Sequence, residues 1–179
     1  MRFVLLALAT LAVGALALPP APSTCACLDD KSAKRVANNF KTLITNYSNA
    51  SAAAYLTPDV RDYSDSVNEL INNGCSNGPA PLGTATFDSL VDFQAGQGSQ
   101  PNIPFEILNI WYGCSAVTLR WRSTYPGGPA NPQQFVTGII VLETVCATGT
   151  EKYKIKTVYS EFNSGAWLYD LGVFVPECS

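Results

Sequence analysis

The sequence predicts an α+β fold in one domain. Two observations carry that expectation. Apolar residues recur at helical spacing in the first half of the 179-residue chain. The period then changes to strand alternation in the second half, in runs rich in Val, Ile, Thr, Tyr and Trp. Helices followed by consecutive strands joined by short turns place an antiparallel sheet against the helices. No internal repeat and no second domain is apparent.

The elements follow in order. Asp29 or Asp30 caps a first helix, in which Ala33, Val36, Ala37, Phe40, Leu43, Ile44 and Tyr47 share one face. A short helix over Ala50–Leu56 stops at Thr57-Pro58. Val60–Val67 reads as a short extended segment, and residues 72–84 as a loop dense in Asn, Gly and Pro. Thr86-Phe87-Asp88 opens a third helix through Gln94, with Phe87, Leu90, Val91 and Phe93 as its inward candidates, and Gly96–Pro104 is a loop. Four strands are expected at Phe105–Tyr112, Ser115–Thr124, Gln134–Val145 and Tyr153–Phe162.

Residues 1–17 read as a signal peptide: Arg2, an apolar run from Phe3 to Leu18, and Ala15-Leu16-Ala17 as the cleavage site. The run is shorter than the about 20 apolar residues of a spanning helix, so no membrane span is expected. A Pro-rich lead-in occupies 18–28 and the domain 29–179. The expected location is extracellular. Cys25, Cys27, Cys75, Cys114, Cys146 and Cys178 then read as three disulfides, with 15 pairings open. Asn46-Tyr47-Ser48 and Asn49-Ala50-Ser51 are sequons, which makes Asn46 and Asn49 glycosylation candidates.

A net charge of −3 argues against nucleic acid and anionic lipid as partners. The chain has no histidine. That removes Ser-His-Asp and Cys-His catalysis and the histidine zinc sites, and no metal or cofactor is expected. Acid–base chemistry would fall to carboxylates, tyrosines or lysines.

Strand phase selects among these. Lys152, Lys154 and Lys156 alternate with Tyr153, Ile155 and Thr157, so the odd positions face inward, and the same phase carries Tyr159, Glu161 and Asn163 inward. Arg120 and Arg122 point out, leaving Val117, Leu119 and Trp121 inward. A carboxylate on a buried strand face needs a partner or a ligand, which makes Glu161 the best catalytic candidate. Its plain alternative is a hydrogen-bonded carboxylate fixing the Asn163-Ser164-Gly165 turn. Asp62 and Asp65 read as turn or capping residues, and Trp111, Trp121 and Trp167 as core.

The segments Asp62-Tyr63-Ser64-Asp65-Ser66, Pro81-Leu82-Gly83 with Phe87, Gln97, Gln100-Pro101, and Tyr159–Trp167 form a pattern. On these residues the chain resembles secreted fungal proteins of the nuclear transport factor 2-like superfamily, over about residues 27–172. The resemblance implies a cone, a bent antiparallel sheet wrapped around the long first helix, with a pocket at its open end. It implies hosts of isomerases, dehydratases and polyketide cyclases as well as non-enzymes, and brings no established activity with it. It also makes Cys27–Cys114 the preferred disulfide, since the lead-in must pass near the sheet and the family pattern often keeps cysteines at both places.

Three functions remain as expectations. The first is binding of a small apolar or aromatic molecule, with Tyr63, Asp65, Trp121, Tyr159, Glu161 and Asn163 lining the site. The second is a histidine-free isomerase or cyclase, with Glu161 or Asp65 as base and Tyr63, Tyr112 or Tyr159 as donor. The third is a host-directed interaction protein that uses a filled cone as scaffold. The outer-face cations Arg120, Arg122, Lys154 and Lys156 are poor interface-core residues and favour a monomer.

Overall fold

The computed structural model describes residues 25–73, 78 and 81–173. Helix α1 (Asp30–Thr45) starts at a capping box. The Asp29 side chain accepts from the Ser32 backbone N–H at 2.7 Å, and Ser32 Oγ accepts from the Asp29 N–H at 2.8 Å. Its buried residues are Ala33, Val36, Ala37, Phe40 and Leu43, one stripe at helical spacing. A second capping box, Ser48 with Ser51, opens α2 (Asn49–Tyr55). The two sequon asparagines, both exposed, therefore sit at the end of α1 and the start of α2.

The strands are β1 (Leu56–Tyr63), β2 (Glu106–Tyr112), β3 (Ala116–Thr124), β4 (Phe135–Cys146) and β5 (Tyr153–Phe162). They form one sheet in the order β1-β5-β4-β3-β2. The four later strands lie close to their expected bounds. The all-antiparallel expectation is corrected by β1, which pairs parallel with β5. β1 also continues through Pro58, expected to end a helix, because an edge strand tolerates proline and the register with β5 shifts between Leu56 and Arg61.

Two short helices were not distinguished in the sequence. Asp65–Ile71 is a helix, α3, capped by Ser64 Oγ on the Val67 N–H at 3.0 Å. Ser164–Asp170 is α5, capped by Asn163. The expected third helix begins later and runs further, as α4 (Leu90–Gly98) behind an N-cap at Ser89. Its inward residue is Phe93, while Val91 is exposed rather than inward.

The inner face of the sheet contributes Val117, Leu119, Trp121, Ile140, Leu142, Ile155 and Val158 to one core cluster with the buried stripe of α1. Two bridges fasten the chain ahead of α1 to that sheet. Cys25 is bonded to Cys146 at the end of β4, and Cys27 to Cys114 in the β2–β3 turn. Beside them Leu28 donates its N–H to Cys114 O at 2.9 Å, and Tyr153 Oη donates to Ala26 O at 2.7 Å. Glu151, buried in the β4–β5 turn, takes a two-pronged ion pair from Arg35 at 2.7 and 2.8 Å and a third bond from Asn39 at 3.0 Å. The Arg35 hydrogen bond holds its carboxyl below the usual carboxylate range.

The strand phase expected for β5 is corrected. Tyr153 and Ile155 are buried as expected, but Val158 and Ser160 are the next buried residues. In the β4 ladder Glu143 pairs with Thr157 and Thr144 with Ile155, so Lys156 is an extra residue, a bulge. One added residue inverts every later side chain. Tyr159 and Glu161 therefore lie on the outer face, Tyr159 stacked on Tyr63 of β1 with ring centroids 5.5 Å apart. Trp111 is likewise on the surface rather than in the core.

Residues 1–24, which contain the expected signal peptide, lie outside the described residues, as do Cys75 and Cys178. With Cys25–Cys146 and Cys27–Cys114 formed, the three-bridge expectation predicts a Cys75–Cys178 peptide in a digest of the unreduced protein, and free thiols at both positions would defeat it. Replacing Cys27 and Cys114 together with Ala should cost about 2–5 kcal/mol in a denaturant melt.

Candidate functional site

Where the sheet curves past the end of α1, its inner face is not fully covered. A cavity of about 490 Å³ opens there, between the sheet, α3, α4 and α5. A continuous aromatic wall forms one side. Phe105 stacks on Trp121 at 4.7 Å, Trp121 meets Phe162 edge-on at 5.7 Å, and Phe162 meets Trp167 at 5.2 Å. Phe87 and Phe93, in a T-shaped pair at 5.6 Å, line the cavity as well.

The floor depends on a glycine. Trp121 pairs across the ladder with Gly138 of β4. A Cβ at Gly138 would come within 2.8 Å of the indole Nε1, 2.6 Å of Phe162 Cβ and 2.5 Å of the Glu161 carbonyl oxygen. The bare backbone lets the indole lie against the strand. The indole N–H is buried and has no hydrogen-bond partner among the described residues.

Asp62 is the one titratable side chain among the described residues that line the cavity. It lies on edge strand β1 and is bridged to Phe87. Asp62 N donates to Phe87 O at 2.9 Å, and Thr86 N donates to Asp62 O at 2.7 Å. The backbone is thus satisfied, while Oδ1 of the side chain is buried without a partner. Burial pushes the Asp62 carboxyl up to about 7, and the negative charge of Glu161 adds to the effect.

Glu161 reaches this site through its charge and not by lining it. Its carboxylate accepts from the backbone N–H groups of Asp65 and Ser66 at 3.0 and 3.1 Å and from Ser66 Oγ. It closes the first turn of α3, as capping carboxylates do. Of the expected lining residues, Trp121 faces the cavity and the rest do not. Tyr63 and Tyr159 stack outside. Asp65 accepts from the Gly83 N–H at 2.9 Å, and Asn163 Oδ1 accepts from the Ala166 N–H at 3.0 Å as the α5 cap. Tyr112 is exposed on β2 and does not line the cavity.

Sequence reasoning missed Asp62 as a site residue. Its signal was present in β1, where Val60, Asp62 and Ser64 alternate with Arg61 and Tyr63. Phe87, Gln97, Gln100, Pro101 and Trp167, which carried the resemblance, all line the cavity. No three His, Cys, Asp or Glu side chains among the described residues group as metal ligands.

A bent sheet cupping a helix, with an apolar cavity and one buried carboxyl at its open end, defines a ligand-pocket cone. The family model for the NTF2-like domain matches residues 26–174, and the chain belongs to that family. No curated protein matches the sequence. Among solved structures the fold is similar to a candidate polyketide cyclase from Bacillus cereus, at 15% identity over 83% of this chain and 87% of that one, with a TM-score of 0.55. A candidate ketosteroid isomerase from Kribbella flavida gives 10% identity, 83% and 84% coverage and a TM-score of 0.50. A ketosteroid isomerase-like fold from Catenulispora acidiphila, in complex with trimethylamine, gives 11%, 79% and 97%, and 0.53. At these identities the likeness is one of fold.

The Asp62 carboxyl should make stability fall with rising pH. The folded state keeps this proton up to about pH 7, whereas the unfolded chain releases it near the ordinary aspartate value of 3.8. Stabilisation is therefore full below about pH 4 and is lost as pH rises towards 7, by on the order of 4 kcal/mol. Asp62→Asn should flatten that slope in denaturant melts across pH 4–8. Glu161→Gln should move the slope to lower pH by removing the like charge, while costing about 1–2 kcal/mol through the weakened α3 cap.

Proposed function

We propose that the protein is secreted and binds a small apolar, aromatic molecule in the cone. The observation that carries this reading is the cavity itself, walled by aromatic side chains, with the Asp62 carboxyl as the one titratable group among its described lining residues. A concave site lined chiefly by apolar and aromatic side chains, with one polar group to orient the guest, is the usual form of a small-molecule pocket. That a protein of similar fold is in complex with trimethylamine supports small-molecule binding as a reading. The signal-like leader and the two disulfides support the extracellular address. An open cavity favours binding over the filled-scaffold reading.

One observation favours an enzyme as the second reading. A carboxyl held near neutrality in an apolar pocket is suited to moving a proton from carbon, as a histidine-free isomerase would require. Asp62, and not Glu161, then becomes the base. On a β,γ-unsaturated ketone, Asp62→Asn should lower any isomerisation rate by roughly 10²–10⁴-fold.

The monomer reading rests on Arg120 and the other outer-face cations, with exposed Trp111, Ile139 and Tyr159 counting against it. A stable dimer in sedimentation at micromolar concentration would overturn it.

The binding reading is tested with the neutral fluorophore N-phenyl-1-naphthylamine. Its emission should rise saturably with the protein, and Ser160→Leu, which fills the cavity from β5, should weaken binding at least roughly tenfold with the circular dichroism spectrum unchanged. Equal affinity in the filled variant, or no saturable signal, would sink it.

A further inference from the structure

The cavity is electrostatically one-sided. Among its described lining residues, α1, α3, α4, α5 and strands β3 to β5 contribute no charged side chain, and β1 contributes Asp62. The outer-face Glu161 adds negative potential through the sheet. The described cations are turned elsewhere. Arg35 is paired with Glu151, Arg61 with Asp88, Arg122 with Glu106 and Lys156 with Asp59, and none of the four lines the cavity.

The wall of Phe105, Trp121, Phe162 and Trp167 is built of aromatic rings, a class of side chain that attracts cations, most strongly when they are desolvated. A carboxylate with no cation beside it is costly to bury, and an anionic ligand would add to that cost. A positively charged ligand offsets the carboxylate.

Building on the binding reading above, we propose that the molecule taken by this pocket is a hydrophobic amine, its ammonium group set against Asp62 and its apolar body against the Phe105–Trp121–Phe162–Trp167 wall. Binding such a cation draws the proton off Asp62, so amine affinity increases as pH rises through the range where Asp62 ionises. The groups that bear on this titration are Glu161 of β5 and the ligand itself.

Isothermal titration calorimetry on the full mature protein tests this with three isosteric indoles: tryptamine (cation), indole-3-ethanol (neutral) and indole-3-acetate (anion). At pH 8.5 tryptamine should bind roughly tenfold tighter than indole-3-ethanol, and indole-3-acetate weakest. At pH 5.5, where Asp62 holds its proton, the tryptamine advantage should shrink several-fold. Asp62→Asn, nearly isosteric, should bring the ratio of tryptamine to indole-3-ethanol affinity close to one, with the melting profile reporting that the variant is folded. Indole-3-ethanol or indole-3-acetate binding as tightly as tryptamine at pH 8.5, or an advantage that survives in Asp62→Asn, overturns the amine assignment and leaves the pocket reading standing. No binding of any of the three, together with no N-phenyl-1-naphthylamine signal, overturns the pocket reading and the amine assignment with it.

Discussion

The arrangement of the whole site depends on one extra residue in β5. Lys156 has no place in the regular ladder between Glu143↔Thr157 and Thr144↔Ile155. Without that insertion a strand that buries Tyr153 and Ile155 would turn Tyr159 and Glu161 inward, and Val158 and Phe162 out to water. With it, both halves of the strand bury their apolar residues. A bulge also bends the strand and increases its twist. The first half can then lie close to α1 while the second curves away, so that Ser160 and Phe162 line the cavity.

The site is assembled from groups with separate structural duties. Phe87 holds the free edge of β1 through its backbone and lines the cavity with its ring. Glu161 organises the first turn of α3, and α3 in turn supplies Val67, Leu70 and Ile71 to the cavity wall. Because the charge that caps the helix also acts on Asp62, the stability of the wall and the protonation of the site are coupled through one carboxylate. The N-terminal bridges act at the other end, tying the lead-in to β4 and to the β2–β3 turn and leaving the open end free.

Much of this architecture was legible in the sequence. Periodicity located α1 and its buried stripe, and β-branched and aromatic runs located β2 to β5 close to their bounds. The resemblance supplied the cone and the Cys27–Cys114 bridge. What failed did so for local reasons. A bulge leaves no mark in alternation, because Lys156 continues the Lys152 and Lys154 pattern while the backbone has already changed phase. Asp62 was read through its neighbours Ser64 and Asp65 as turn chemistry, although Val60 and Arg61 set a strand phase that points it inward. Helices α3 and α5, seven residues each, are too short for a helical period to show. Two of the six expected site residues owe their prominence to capping: Glu161 closes α3 and Asn163 opens α5. Polar groups around a turn look alike in sequence whether they serve a helix or a ligand.

Gly138 gives the pocket an evolutionary vulnerability. The space occupied by the Trp121 indole exists because the neighbouring strand lacks a side chain at one position. A single-base change can convert a glycine codon to alanine. The added methyl group would meet the Glu161 carbonyl oxygen, Phe162 Cβ and the indole nitrogen at once, so the β4–β5 pairing and the ring would both have to shift. Within one fold, then, a chain that holds a guest and a chain that fills its own interior can be separated by one carbon atom. Among homologous sequences, the residue at this strand position should sort hollow cones from solid ones better than any polar residue around the rim.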